Sequence, residues 1–388
     1  MSVYANKPPQ KEGGSSWLKG CCIGCVAVVL IFAILVVIGL RTVFKARPAV
    51  PPETFLTANA DLFAVFQLMP DDEAVIRVLQ ESAKNQPAQQ RRNIPVDQKQ
   101  IEKNLQQILP IHAVVTARYV GKDEVSEDES PIDANFDFNA AISANPKGFL
   151  GRMIVGTLRW ALATAVSGSE DQGGSIQKHG GTQIGTNAAG ASMAVVDNNL
   201  LVGDSVDVLK EWIDRIDRQK KAQEKVKDGE MPLPPVVIAE GLKGMYDRCD
   251  HKAPVYFACL NTHGEIGLLL EGMEKAKLDS KSKEEQEKIK SFTLAMKQTD
   301  IASESVIVVG GIVRITGPDK GGFDFFIECR DEGSAKKLAA QFEAGLAEKQ
   351  KETGIEDLSV TTEGALVTIK FTKSGLQKTI QEMSERRR

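Results

Sequence analysis

Four side chains of metal-binding type fall close together in the second half of the chain: Cys249, His251, Cys259 and His263. Thiolate and imidazole are zinc ligands, and four of them complete a tetrahedral shell. Their spacing, C-x-H-x7-C-x3-H, is not that of a standard zinc knuckle. Cys259 also alternates with Val255 and Phe257 in PVYFACLN, the pattern of a small apolar residue inside a strand. A Cys249–Cys259 disulfide is the other pairing open to these residues in an oxidising compartment, which leaves Cys329 alone in the body. Only His112 and His179 add to the histidine total, so imidazole catalysis has few starting points. The sequence contains no G-x-x-x-x-G-K-[ST] phosphate loop, no G-x-G-x-x-G after a strand, no G-x-S-x-G elbow and no H-E-x-x-H. It therefore assigns no catalytic residue and no cofactor.

Three further groups invite chemistry. Asp123, Glu124, Glu127, Asp128, Glu129 and Asp133 crowd one stretch, but the alternating ligands and central Gly of a calcium loop are missing, and an acidic hairpin tip is the simpler reading. The Gly-rich stretch SGSEDQGG at 167–174 precedes a strand rather than a helix, so it lacks the helix N-terminus that would hold an anion. Cys22 and Cys25 have C-x-x-C spacing, beside Cys21, and open an uncharged run. There they read as small apolar residues or as acylation sites.

That run, residues 20–40, holds no charge and is long enough to cross a hydrocarbon core at ~1.5 Å per helical residue. It ends in Arg41, Lys45 and Arg47 with no small-x-small cleavage site, so a retained single-pass anchor is expected rather than a signal peptide. The flanking cations are nearly balanced. The N-terminal amine tips the expected orientation to an inside N-terminus and an extracytoplasmic body. Of 48 basic and 52 acidic residues, six basic and one acidic lie in residues 1–47, leaving 42 against 51 in the body. Such an acidic body excludes nucleic acid as a partner. The expected partners are the lipid bilayer, through residues 20–40, and an unidentified protein.

Around these groups the periodicity predicts an organised body. Residues 1–19 read as a flexible tail, 41–53 as a spacer, 54–218 as a first α+β copy, 219–236 as a linker and 237–388 as a second copy. In copy one, strands are expected at 61–68, 112–120, 135–144, 176–185 and 192–203, and helices at 71–84, 97–109, 147–166 and 204–218. In copy two, strands are expected at 254–261, 305–316, 323–330 and 366–372. Its helices are expected at 264–276, 283–297 and 334–349, with a last helix through Leu376, Ile380 and Met383. Phe136-Asp137-Phe138 recurs as Phe323-Asp324-Phe325, and the shared element order reads as a tandem duplication. The expected fold class is α+β: an N-terminal transmembrane helix, then two tandem copies of a mixed, mainly antiparallel sheet with helices on one face. The 147–166 helix is apolar almost all round, which suits a central core helix, a membrane-surface helix or a partner's groove.

The run AVVDNNLLVGDS at 194–205, followed by Leu209, Ile213 and Ile216, resembles a hairpin-and-helix motif of an uncharacterised bacterial family. Its members carry one N-terminal membrane anchor and an extracytoplasmic α+β domain of unknown function. The resemblance implies that topology and no activity. The function expected from sequence is thus a membrane-anchored binding or structural module at the cell envelope. The alternative is an anchored enzyme with an unfamiliar, metal-dependent site.

Overall fold

The segment LFAVFQL at 62–68 carries no charge on either face, and a strand of that kind can be paired and covered on every side. In the computed structural model it is paired on both edges and buried on one face at Phe63, Val65 and Gln67, while Leu62 and Ala64 are half-buried and Phe66 is exposed on the other. Residues 50–69, 109–121, 136–145, 152, 156–157, 174–188, 190–223, 234–278, 301, 303–317, 319–353 and 355–375 are described. All described residues fall within the compact unit Ala46–Arg388. Their strands are β1 (Leu62–Leu68), β2 (Ile111–Tyr119), β3 (Phe136–Ala144), β4 (Ser175–His179), β5 (Thr182–Thr186), β6 (Ser192–Val196), β7 (Asn199–Gly203), β8 (Val255–Leu260), β9 (Val306–Gly317), β10 (Lys320–Cys329), β11 (Ile355–Glu363) and β12 (Leu366–Ser374). The described helices are α1 (Val206–Gln223), α2 (Glu240–Arg248), α3 (Glu265–Leu278) and α4 (Glu332–Thr353), with a 3-10 turn at Pro52–Phe55.

All twelve strands form one sheet in the order β11-β12-β10-β9-β8-β1-β2-β3-β7-β6-β5-β4. Every neighbouring pair is antiparallel. The halves meet where β1 pairs with β8, from Leu62↔Cys259 to Phe66↔Val255. Outward from that junction each half runs first, second, third, last and penultimate strand, and the first half adds the β4–β5 hairpin.

This corrects the expected fold class in three ways. The described residues are mostly antiparallel strand in a single sheet, not an α+β pair of separate mixed sheets. The reason is the uncharged β1 and β8, whose open edges satisfy each other's backbone groups. Among the described residues no helix is long and apolar enough to cross a membrane, so the fold shown contains no transmembrane helix; residues 20–40 lie outside them. Helices also cover both faces. α1 and α2 pack with Phe63, Val65, Tyr256 and Ala258 on one face, and α3 and α4 with Leu62, Cys259, Phe325 and Ile327 on the other.

Smaller differences have local causes. Residues 176–185 form a hairpin rather than one strand, because Gly180 and Gly181 both adopt positive φ (54° and 80°) and turn the chain. The β6–β7 turn sits at Asp197-Asn198, with Asp197 at φ 52°, one residue before the Asn198-Asn199 expected. β11 and α2 lie where no element was expected. Expected helices at 71–84, 97–108, 283–297 and 376–383, and the acidic tip at 122–133, lie outside the described residues.

The two sheet faces differ in chemistry. On the α3–α4 face one cross-strand row runs Val360, Ile369, Phe325, Gly311, Phe257, Ala64, Val115, Ala140, Val202, Met193, Gly185, Ile176, one residue per strand and none polar. A parallel row runs Phe371, Phe323, Val313, Val255, Phe66, Ala113, Ile142, Leu200, Val195. The opposite face mixes Phe63 and Ala258 with Thr116, Asn139, Ser192 and Thr368.

Adjacent glycines in β9 serve the two faces. At Gly310 a Cβ would lie 2.2 Å from Cγ of Met245, which α2 lays on the sheet. At Gly311 a Cβ would lie 2.8 Å from the Phe257 ring and 3.1 Å from Phe325. The Phe257 and Phe325 rings, 6.2 Å apart at 66°, therefore meet over the space that Gly311 leaves. Replacing Gly311 with Val is expected to cost about 1–3 kcal/mol by overpacking, and adding Phe257→Leu should recover part of it. Urea unfolding of the single and double variants measures both.

At the far edge, β11 is irregular. Its register against β12 shifts between Glu356 and Ser359, and Asp357 there has φ 50°. Glu356 pairs with Lys320 at 2.7 Å, and Asp357 accepts a hydrogen bond from Thr372 Oγ1 at 2.9 Å.

Candidate functional site

The four metal-binding side chains are not brought together. Cys249 packs in the core cluster on the α1–α2 face and Cys259 in the cluster on the α3–α4 face, so the sheet lies between them. His251 stacks on Tyr246 of α2, with ring centroids 4.1 Å apart, and its Nε2 donates to the Tyr246 carbonyl at 2.9 Å. His263 stacks on Tyr119 of β2 at 5.0 Å. Among the described residues no group of three or more His, Cys, Asp or Glu is placed to hold a metal ion. Cys249, Cys259 and Cys329 are all free and buried.

Burial also sets the thiol chemistry. It pushes Cys249 up to about 12, with the Asp250 charge adding to it. It pushes Cys329 up to about 11, helped by Asp331 and Glu328. Cys259 is raised by burial and then by Glu265 and Asp61. Each thiol stays protonated at neutral pH and is a poor nucleophile or metal ligand.

One polar group among the described residues was missed by sequence reasoning. Tyr246 and Tyr256 meet Phe63 in edge-on contacts, with centroids 5.9 and 6.3 Å away, and lie 6.4 Å from each other. The Tyr246 hydroxyl donates to Glu53 Oε1 at 3.4 Å, which ties α2 to the 3-10 turn. Burial raises both phenols, and the Glu53 charge adds to it. The Tyr256 hydroxyl is buried without a hydrogen-bond partner among the described residues. Gln67 of β1 closes the group by donating Nε2 to the His251 carbonyl and, at 2.8 Å, to that of Ala253. Closely packed rings and protonated hydroxyls fix α2 and the α2–β8 loop to the sheet. The pattern GLKGMYDR before PVYFACLN was the available signal, a short amphipathic helix with Leu242, Met245 and Tyr246 on one side.

The motif at 194–205 proves to be hairpin plus cap. Ser205 Oγ accepts the Val208 N–H at 3.4 Å at the start of α1. Asn139 Oδ1 of β3 accepts the Ser205 N–H at 3.3 Å, and Asp204 Oδ2 accepts the Phe138 N–H at 2.9 Å. Gly203 makes room for this, since a Cβ there would sit 2.2 Å from Asn139 Oδ1. α3 is capped similarly: Asn261 Oδ1 accepts the Ile266 N–H at 3.0 Å, and the buried Glu265 accepts from the His263 N–H and the Thr262 hydroxyl. Arg215 is buried in α1, donates to the Thr54 and Leu56 carbonyls and pairs with Glu211.

Arg118 of β2 pairs with Asp137 of β3 at 3.0 Å, and Arg314 of β9 with Asp324 of β10 at 2.8 Å, so both copies of the Phe-Asp-Phe triplet hold an arginine on the neighbouring strand. Arg314 also reaches Asp250 at 3.5 Å. The SGSEDQGG stretch is described only at Gly174, and Cys21, Cys22 and Cys25 lie outside the described residues. No family model matches the chain, and no curated protein or solved structure is detectably similar to it.

Two outcomes follow from the burial of these groups. His112 of β2 is buried, and desolvation lowers it from 6.5 to about 4. The folded chain holds it neutral while the unfolded chain protonates it. Its contribution to stability is therefore complete above pH ~6.5 and falls by about 3 kcal/mol as the pH drops towards 4. Urea midpoints against pH should show this slope, and His112→Gln should flatten it. Site-resolved iodoacetamide labelling at pH 8 should leave Cys249, Cys259 and Cys329 unmodified in the native chain and label all three in urea.

Proposed function

We propose that this chain is a binding or structural module held at a membrane through its uncharged stretch at 20–40, with the body on the extracytoplasmic side and a protein as its partner. The observation that carries the module reading over a catalytic one is the separation of Cys249 and His251 from Cys259 and His263 by the sheet. The competing reading, a metal-dependent enzyme, would need those ligands to meet through paired backbone. Among the described residues, Tyr246, Glu265 and Arg215 are engaged in holding elements together. Support for the membrane location comes from sequence alone: no charge between Gly20 and Leu40, then three cations. The likeness of 194–216 to an anchored bacterial family points the same way.

Cell fractionation and metal analysis of the full chain test the two parts separately. The intact chain should stay with membranes after a high-salt wash, and a variant lacking residues 20–40 should be released. Recovery of the intact chain in the soluble fraction would remove the location. Stoichiometric zinc that disappears in Cys249→Ser would replace the module reading with the enzymatic one.

A further inference from the structure

Part of the α3–α4 face stands open to water. Phe66 of β1, Ile142 of β3 and Val202 of β7 are 45%, 44% and 37% exposed. Side chains on this part of the face alternate in size. Across β1, β2 and β3 one row reads Ala64, Val115, Ala140, and the next reads Phe66, Ala113, Ile142. Large and small residues thus form a checkerboard of knobs and hollows with no polar member. Val202 extends the first row by one more knob beyond Ala140. Where α4 covers the same face the relief is different: Val360, Ile369, Phe325 and Phe371 are all large and pack in one cluster with Leu338.

That relief says what fits. Alternating knobs and hollows on a pleated surface belong to the inner face of a sandwich, where two sheets interdigitate ~10 Å apart. A helix offers continuous ridges instead, and the half of the face that carries one lacks the hollows. The matching surface is therefore a second sheet, uncharged and alternating in the same way. The chain's own patch meets that description, because a two-fold axis lying in the interface can set the knobs of one copy over the hollows of the other. The area agrees. Half-buried Leu68, Ile111 and Ala144 add a third row. Three rows ~6.7 Å apart on five strands ~4.8 Å apart cover roughly 500 Å². Two such faces together cover about 1,000 Å², where specific interfaces begin.

We propose that two copies of this chain pair face to face through the checkerboard of Phe66, Val115 and Ile142 with Ala64, Ala113 and Ala140. The inference rests on the protein-partner part of the function proposed above and identifies that partner as a second copy; it makes no use of the membrane location. The pairing covers one face of each sheet and leaves the sheet borders as they are, so it closes at two copies.

Photo-cross-linking of the full chain in intact expressing cells tests it, with p-benzoylphenylalanine in place of Ile142 or Val202. Irradiation should give a dimer whose adduct maps to β1, β2, β3 or β7 of the second copy. The same group in place of Asp207, exposed on α1 across the sheet, should give none. Ile142→Asp should cut the dimer formed from position 202 by about ten-fold or more, while Cys249, Cys259 and Cys329 stay protected from iodoacetamide. Should that variant expose the thiols, Ile142→Ala decides in its place, with a loss of about three-fold or more expected. Monomer alone, a dimer as strong from position 207, or a yield untouched by the deciding variant would overturn the proposal. A cross-link to a different protein would overturn it and leave the module reading standing. Adducts with lipid alone would overturn it together with the protein partner.

Discussion

The antiparallel pairing of β1 with β8 is the constraint on which the rest of this body depends. Five residue pairs, Leu62 to Phe66 against Cys259 to Val255, join two runs of chain almost two hundred positions apart. That pairing aligns the registers of both halves, so the apolar rows cross the junction without a step. It also sets Phe63 beside Tyr246 and Tyr256, and so fixes where α2 rests. Contacts of such long sequence separation are entropically expensive to close, and the burial of Phe63, Val65, Tyr256 and Ala258 on one face and of Cys259 on the other is what offsets that cost.

Polar chemistry in this chain is mostly backbone chemistry. Asn139, Asn261, Glu265, Gln67 and Arg215 are all buried, and each is satisfied by carbonyls, N–H groups or a neighbouring side chain. A buried polar group left unpaired costs ~1–3 kcal/mol, so residues of this kind hold an element in one position more firmly than apolar packing alone. Among the described residues, Trp212 and Thr54 each keep a buried polar atom unpaired around the same 3-10 turn that Arg215 holds.

Strand positions were legible because alternation is local. The segments at 62–68, 111–119, 136–144 and 306–317 lie within a residue or two of where period-two patterning places them. Helices α1, α3 and α4 were legible for the same reason, from apolar residues such as Leu338 and Phe342 four positions apart. What joins the strands was not legible. Nothing in PVYFACLN states which strand it pairs with, and a sheet split in two has the same local patterns as one continuous sheet. The placing of Cys249 and Cys259 was hidden for a similar reason: Cys249 ends α2 on one face of the sheet, and one residue of alternation in β8 turns Cys259 to the other. α2 was overlooked because two glycines and four charged residues hide its short apolar side, and β11 because its polar, kinked run lacks alternation. Its Asp357 bend could be read only in three dimensions.

That bend carries a consequence for neighbouring molecules. An antiparallel sheet with two straight outer strands is a template for end-to-end polymerisation, and bodies crowded at high local density would zip together. Here one border is kinked and lined with carboxylates at Glu356 and Asp357, and the other, β4, is five residues long and carries Lys178. Growth by strand addition is thus obstructed at both borders, and molecules packed side by side keep their sheets separate.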